Sequence, residues 1–311
     1  MKHAIAIEFG GQSIKAALIN QQGDMTSKNN MSLSEENPTS YADFEGDFTA
    51  LLQATSGGKE IAAVGIALPS PFDPQDLTLN LTQKPAYKHI NGHALKSLLL
   101  DATGLSEYYT LNDAAAAGLG ELWQGKIEER GRFLLLTLGT GLGGVFMQDG
   151  LIVTGRQVPG IPESGEIWDY PYRDTNLENV SGSTKAAVAI YRQLGGSDAE
   201  VLDGDLKKLA TLARQDRYGV MARMTFAEFG RRLGDGIAPI VKQFRPQAIV
   251  LSGNIALAYD VFAQAAQETL QAGLRGSGFD TKLLQSELID RGGMLGAAYR
   301  ALYPQRPFRA G

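Results

Sequence analysis

Asn112 and Asp113 stand together where an apolar run (Tyr108 to Leu111) gives way to the alanine-rich stretch Ala114 to Ala117. A carboxylate at the C-terminal end of a strand, opening a helix, lies where α/β folds place their ligand clefts. There it could take a proton from a bound hydroxyl. Asn and Asp are also favoured helix starters, so an N-cap explains the pair equally well. Both readings can hold together, since a cap leaves one carboxylate oxygen free.

Two glycine corners point to anion chemistry. Leu138 to Gly144 reads LGTGLGG, with four glycines in six positions, more than the one or two residues of positive φ that a hairpin needs. Thr140 adds a hydroxyl donor. The corner after Phe9, with Gly10 and Gly11, says little alone and gains weight from its second copy. Each corner joins two apolar strand-like runs, IAIEFGGQSIKAALINQQGDM (Ile5 to Met25) and FLLLTLGTGLGGVFMQDGLIV (Phe133 to Val153), each closed by a polar turn with Gly. Such repetition predicts two similar halves. Glycine lets backbone N–H groups approach an anion with no Cβ in the way. Two corners facing each other would clamp a polyphosphate.

Two further segments could hold a ligand. VLSGNIA (Val250 to Ala256) reads as strand, small-residue turn and helix, suited to close approach of an adenine or ribose, or to an ordinary βα turn. Glu163, Glu166, Asp169 and Glu178 crowd a Pro-rich stretch with Trp168, Tyr170 and Tyr172. Acidic groups beside aromatic rings suit sugar hydroxyls, and a solvated acidic loop is the plain alternative. His89 and His93 have i, i+4 spacing, but Gly92 intervenes and no acidic residue stands between them, so a loop or helix start is favoured over a metal site.

These groups need strands and helices to hold them. Strands are expected at Ile5 to Ile7, Ile14 to Ile19, Ile61 to Pro69 and Tyr108 to Leu111, and again through 133–153 and before Ser252. Helical periodicity marks 43–55, 95–104, 183–194, 205–214, 226–244 and 256–273. Strands alternating with helices imply mixed or parallel sheets flanked by helices, an α/β protein.

The 311 residues suggest roughly two domains. With 43% hydrophobic and 20% charged residues the composition is that of an ordinary globular chain. A net charge of -5 argues against nucleic acid as partner. No cysteine is present, which excludes disulfides, thiol catalysis and cysteine-ligated zinc. The N-terminus carries no leader-like apolar or basic amphipathic segment, and no apolar run approaches the roughly 20 residues of a membrane span. A cytoplasmic protein without a membrane partner is expected.

In order along the chain stand EFGGQSIK, GIALPSPFD, LNDAAAAGLGELWQG, LLTLGTGLGG, SGEIWD, LENVSG, IVLSGNI and GGMLGAAYRAL. This series, from about Ala4 to Tyr303, resembles the ROK family of sugar kinases within the actin/hexokinase/Hsp70 ATPase superfamily. The resemblance implies a duplicated actin-like ATPase (ribonuclease H-like) fold with an interlobe cleft. Residues 1–112 with the last helix, 294–304, would form a small N-terminal lobe and 113–293 a large one. It also implies ATP-dependent phosphorylation of a hexose or amino-sugar hydroxyl, with Mg²⁺, often in a homodimer.

On that resemblance Asp113 is the catalytic base. Asn112, Glu166 and Glu178 would contact the sugar. Gly10, Gly11, Gly139, Thr140, Gly141 and Gly143 would cradle the phosphates, and Gly253 and Asn254 would border the adenosine. Three departures stand out. Glu8 and Gln12 replace the Asp and Thr of the first family motif, near the Mg²⁺-bound water and the phosphates respectively. Trp168 and Asp169 follow Ile167 where many members carry Gly and a sugar-binding His, and Arg173 to Asn176 replaces their cysteines, so no structural zinc is expected. Asp169 accepts hydrogen bonds where His could also donate, which alters sugar preference. Ser252-Gly253-Asn254 holds one glycine where two are usual. Glu8 and Gln12 also keep open a catalytically weak sugar sensor. A repressor of the same family fits poorly, because the chain begins at the first strand without a helix-turn-helix segment and is acidic.

Overall fold

The computed structural model describes residues 2–82, 84–196, 206–215 and 219–309. Contacts divide the chain into Met1–Gly125 with Arg291–Phe308, and Lys126–Asp290 with Arg309–Gly311.

In the first unit, β1 (His3–Phe9), β2 (Ser13–Asn20) and β3 (Met25–Ser32) form an antiparallel meander. β4 (Ala63–Leu68) and β5 (Tyr108–Asn112) continue the sheet in parallel on the other side of β1, giving the order β3-β2-β1-β4-β5. In the second unit, β6 (Arg132–Leu138), β7 (Leu142–Gln148) and β8 (Leu151–Val153) form the same meander. A short β9/β10 ribbon follows (Pro171–Tyr172 and Thr175–Asn176). β11 (Ala248–Ser252) and β12 (Lys282–Gln285) then extend the sheet in parallel from β6, in the order β12-β11-β6-β7-β8. The repeat seen in the two glycine corners is therefore a repeat of whole sheets.

Helices cover these sheets where the apolar period allows. α1 (Tyr41–Ser56) starts at Ser40, whose side chain accepts the Asp43 N–H, and buries Phe44, Phe48, Leu51 and Leu52. α2 (Lys96–Thr103) stops at left-handed Gly104, as the sequence predicts. α3 (Asp113–Gln124) packs against the last helix, Gly292–Leu302, within the first unit, across glycines: a Cβ on Gly120 would overlap the Gly292 carbonyl, and one on Gly296 the Ala116 carbonyl. That close packing draws α3 into the first unit, whereas the sequence reading counts it with the second lobe.

In the second unit α4 (Leu177–Val180), α5 (Thr184–Gln193) and α6 (Leu206–Ala213) precede the 25-residue α7 (Val220–Phe244). Position 205, where the sequence reading starts a helix, lies outside the described residues. α7 begins before the expected 226, because Ala222 and Thr225 already sit on its buried face. After β11 a 3-10 turn (Asn254–Ala258) precedes α8 (Tyr259–Leu274), where one continuous helix from 256 is expected. α9 is the last helix, Gly292–Leu302. Phe226, Phe229, Leu233, Phe262 and Leu270 fill the core between α7 and α8. No helix among the described residues is long and apolar enough to cross a membrane.

Candidate active site

In the first unit the site grows from the C-terminal ends of β1 and β5. Asn112, not Asp113, is the cap of α3: its Oδ1 accepts the N–H groups of Ala114 (3.0 Å) and Ala115 (3.4 Å). Its Nδ2 donates to Ser70 Oγ at 2.9 Å, tying β5 to the loop after β4. Asp113 is thereby released from capping and becomes the first helical residue, with solvent access at its surface although protein crowds around it. Its Oδ1 accepts the Ala114 N–H at 2.8 Å, and Oδ2 remains for other work. Desolvation by the surrounding protein raises the Asp113 carboxyl above the usual range, against the pull of the Ala114 N–H and the Lys84 ammonium.

The β1/β2 corner is braced from below. Gly10 donates to the Ser13 carbonyl at 2.9 Å, and the buried Tyr87 hydroxyl donates to the Gly10 carbonyl at 2.7 Å. The N–H groups of Gly11 and Gln12 have no acceptor among the described residues. Burial above all, then the charges of Asp113 and Glu8, raises the Tyr87 hydroxyl far above its ordinary value, so it stays a proton donor. The longer Glu8 side chain finds room because position 293 is glycine: a Cβ there would lie 2.9 Å from Glu8 Cδ. Its carboxylate meets the first turn of α9, the positive end of that helix.

In the second unit the β6/β7 corner turns over Gly139, Thr140 and Gly141, closed by the Gly139 N–H donating to the Gly141 carbonyl at 3.0 Å. Thr140 and Gly141 keep N–H groups without an acceptor among the described residues. Gly143 lies beyond the turn, inside β7 opposite Thr137. The Gly139 carbonyl accepts both the N–H and the hydroxyl of Thr184, at 2.8 and 3.1 Å, which pins the corner to the start of α5. A Cβ on Gly139 would meet only the Gly141 carbonyl, at 4.0 Å, so the corner opens onto free space there.

Glu178, in α4, reaches the same corner. Its Oε2 accepts the Leu142 N–H at 2.8 Å and would lie 2.8 Å from a Cβ on Gly141. Gly253 closes the other side. It has φ +82°, and any side chain there would overlap the Leu138 carbonyl, so only glycine lets the β11 turn abut the corner. Asn254 follows directly and opens the 3-10 turn. Glu166 and Asp169 lie apart from the corner, lining a cavity of about 450 Å³ with Trp168. Glu163 is exposed and pairs with Arg156 at 3.4 Å.

The structure thus gathers Glu8, Gly10, Gly11, Gln12, Asn112 and Asp113 in one unit, and Gly139, Thr140, Gly141, Glu178, Gly253 and Asn254 in the other. Sequence reasoning missed Ser70, Lys84, Tyr87 and Thr184. Each acts through tertiary contact and carries no local pattern, although Ser70 sits in the GIALPSPFD run. His93 stacks on Tyr41 with ring centroids 3.7 Å apart, a packing role. Among the described residues no group of three or more His, Cys, Asp or Glu could hold a metal. Mg²⁺ asks for less, one or two carboxylates besides phosphate oxygens and water, and the Glu8 carboxylate at the end of β1 would fit that need. Each corner, taken within its own unit, offers backbone N–H groups suited to a phosphate.

The ROK family model matches residues 4–167 and 178–303. The chain is 27% identical to a beta-glucoside kinase of Klebsiella pneumoniae, over 80% of this chain and 81% of that protein. It is 26% identical to a glucokinase of Thermotoga maritima, over 94% and 95%. A crystal structure of a ROK family glucokinase from Streptomyces griseus, in complex with glucose and AMPPNP, superposes with a TM-score of 0.76 at 22% identity, over 96% of this chain and 99% of that one. That solved structure shares the duplicated actin-like ATPase fold, and the family model over most of the chain establishes that the chain belongs to the ROK family.

Proposed function

We propose that this chain is an ATP-dependent kinase for a hydroxyl of a hexose or amino sugar. The observations that carry the reading are a backbone corner in each unit with two successive N–H groups that have no acceptor among the described residues, and Asp113 at a strand end in the first. Successive free N–H groups form anion nests, and the family's sugar kinases supply the reaction class.

In this reading Asp113 Oδ2 accepts the proton of the attacking sugar hydroxyl, a role worth roughly 10²–10⁴-fold in rate. The Ala114 N–H and then the Lys84 ammonium favour the ionised form of Asp113. Gly11, Gln12, Thr140 and Gly141 offer N–H groups to phosphate oxygens, and Gly10 is held in place for them by Tyr87. Gly253 and Asn254 border the adenosine. Asn112 spends its Oδ1 on the helix cap, so its Nδ2 carries any sugar contact. Glu178 holds the Leu142 N–H with one oxygen and has the other for a sugar hydroxyl, while Glu166 and Asp169 serve the sugar from the neighbouring cavity. Glu8 would face the Mg²⁺-bound water, and Mg-ATP would supply the transferable phosphoryl group with its charge neutralised.

Glu8 and Gln12 favour a second reading, a sugar sensor with little turnover. A coupled ADP-release screen with Mg-ATP over hexoses, N-acetylhexosamines and their epimers separates the two. Sugar-stimulated ADP release supports the kinase. Saturable sugar binding with no ADP release contradicts it.

A further inference from the structure

We propose that Asp235 is a positioning residue for the sugar site: through the hydroxyl of Tyr172 it fixes the β9/β10 ribbon, and the ribbon fixes the carboxylates of Asp169 and Glu178. The inference rests on the sugar-kinase reading above and adds two residues that reading does not use. The Tyr172 hydroxyl donates to Asp235 Oδ2 at 2.6 Å, joining the ribbon to α7, 63 positions further along the chain. Tyr172 is the one buried residue from Pro171 to Asn176, so the ribbon has a single side-chain anchor. Two strands of two residues each cannot hold a conformation unaided. The turn residue Arg173 also sits at φ +52°, a conformation that persists in a non-glycine residue only where its surroundings enforce it.

The anchor gives direction as well as burial. Beside Asp235, α7 carries Gly236, where a Cβ would lie 2.3 Å from Leu177 Cδ1 and 3.3 Å from Tyr172 Cδ2. The helix is thus bare where the ring and Leu177 dock. Apolar contact of that kind is non-directional, and the hydrogen bond to Asp235 supplies the register. Arg173 Nη2 lies 3.8 Å from the same carboxylate oxygen, but both groups are exposed and such a pair contributes little. Burial, and then the hydrogen bond to Asp235, push the Tyr172 hydroxyl up to about 12, so it stays a donor throughout the range of an assay.

Hydrogen bonds pass that register on to the carboxylates. Asn176, in β10, caps α4 by accepting the Asn179 N–H at 3.1 Å, and its Nδ2 donates to Asp169 Oδ1 at 3.4 Å. Asn179 Nδ2 donates back to Thr175 Oγ1 at 3.0 Å. The N–H groups of Leu177 and Glu178 donate to the Tyr170 and Trp168 carbonyls at 2.9 and 3.2 Å. α4 has only four residues and no stability of its own. Ser183 holds its far side, through the Glu178 carbonyl at 2.7 Å, and β10 holds its start. Releasing Tyr172 from Asp235 therefore loosens Asp169 and Glu178 together. The glycine corner keeps its own closure, the Gly139 N–H on the Gly141 carbonyl.

The test measures glucose and N-acetylglucosamine binding by calorimetry, ADP release with Mg-ATP, and amide hydrogen exchange, in the full chain. The Asp235 side chain is 54% exposed, so Asp235→Ala leaves the core intact. We expect Asp235→Ala and Tyr172→Phe each to weaken sugar affinity and raise sugar KM about fivefold, as loss of one hydrogen bond implies. ATP KM should change less than about twofold, and exchange at the Leu177 and Glu178 amides should quicken. The double variant should bind no more weakly than either single one, because both remove the same interaction. Asp235→Asn keeps an acceptor oxygen and should restore most of the affinity. Additive losses in the double variant, or sugar affinity unmoved in both single ones, overturn the positioning role. So does an equal rise in both KM values with a lowered urea midpoint, which would make the contact merely structural. If the parent binds sugar without releasing ADP and the variants still lose affinity, the role stands and the kinase reading falls. If the parent phosphorylates sugar and both variants match it, the reverse holds. A parent that binds neither sugar removes both.

Discussion

Glu178 Oε2 accepts the N–H of Leu142 at 2.8 Å, so one carboxylate joins helix α4 to the far side of the glycine corner between β6 and β7. Leu142 is buried, and its N–H loses its acceptor once the carboxylate goes. An unmet buried donor costs about 1–3 kcal/mol. Glu178→Ala should therefore lower the urea midpoint and raise KM for both nucleotide and sugar. Glu178→Gln keeps an acceptor oxygen and should recover most of the nucleotide KM but less of the sugar KM. Parallel KM measurements on the two variants check this.

Tyr87→Phe removes the only side-chain donor found for the Gly10 carbonyl among the described residues. The lost hydrogen bond is worth about 1 kcal/mol. The corner it braces should then present Gly11 and Gln12 less well, raising KM for ATP several-fold while sugar binding by calorimetry stays close to the parent's. An unchanged ATP KM would mean the corner holds its shape without the phenol.

The pH profile follows from Asp113. Its carboxyl is raised by desolvation, and the base acts ionised, so kcat/KM should climb along an acidic limb that lies above the ordinary carboxylate value of about 3.9. Lys84 pulls that carboxyl down, so Lys84→Met should move the limb to higher pH. The same shift bears on stability. A carboxyl raised by folding binds its proton more tightly folded than unfolded, so its stabilising contribution is present below the unfolded value and lost as pH rises through the folded one. Asp113→Asn should accordingly not lower Tm at pH 7. Thermal melts at pH 4 and pH 7 test the sign.

Glycine at 296 carries the packing that seats α3, and with it Asp113. An exposed Gly→Ala change in a helix would gain up to about 1 kcal/mol from propensity. Here the new Cβ would overlap the Ala116 carbonyl, and overpacking typically costs about 1–3 kcal/mol. Gly296→Ala should thus be destabilising in urea melts, with a loss of kcat as α3 shifts. A more stable protein would mean that α9 and α3 are free to separate.

Much of this was legible in the residues because the signals are local. The apolar runs around Gly10 and Gly139 name both meanders, and Asn112-Asp113 names a strand end and a helix start. What the pair could not reveal is which member caps: that is decided by Ser70, 42 positions away in sequence, taking the Asn112 amide. β12 escaped notice because Lys282 to Gln285 has only two apolar residues, and pairing with β11 makes it a strand. Lys84 and Tyr87 sit in a loop and a 3-10 turn (Pro85–Tyr87), where nothing in spacing announces a partner at Asp113 or Gly10. Glu178 is placed by the SGST turn after it, since Ser183 donates to the Glu178 carbonyl at 2.7 Å. Long-range contact, not composition, makes these residues part of the site.

The kinase account narrows to a single aspartate relieved of capping so that its second oxygen can serve a sugar alcohol. The direct trial is sugar-dependent ADP release by the parent and Asp113→Asn on one acceptor, with that acceptor's Kd measured alongside. A rate loss of at least about 100-fold at nearly constant Kd is the predicted result. Equal turnover in the two proteins would contradict it.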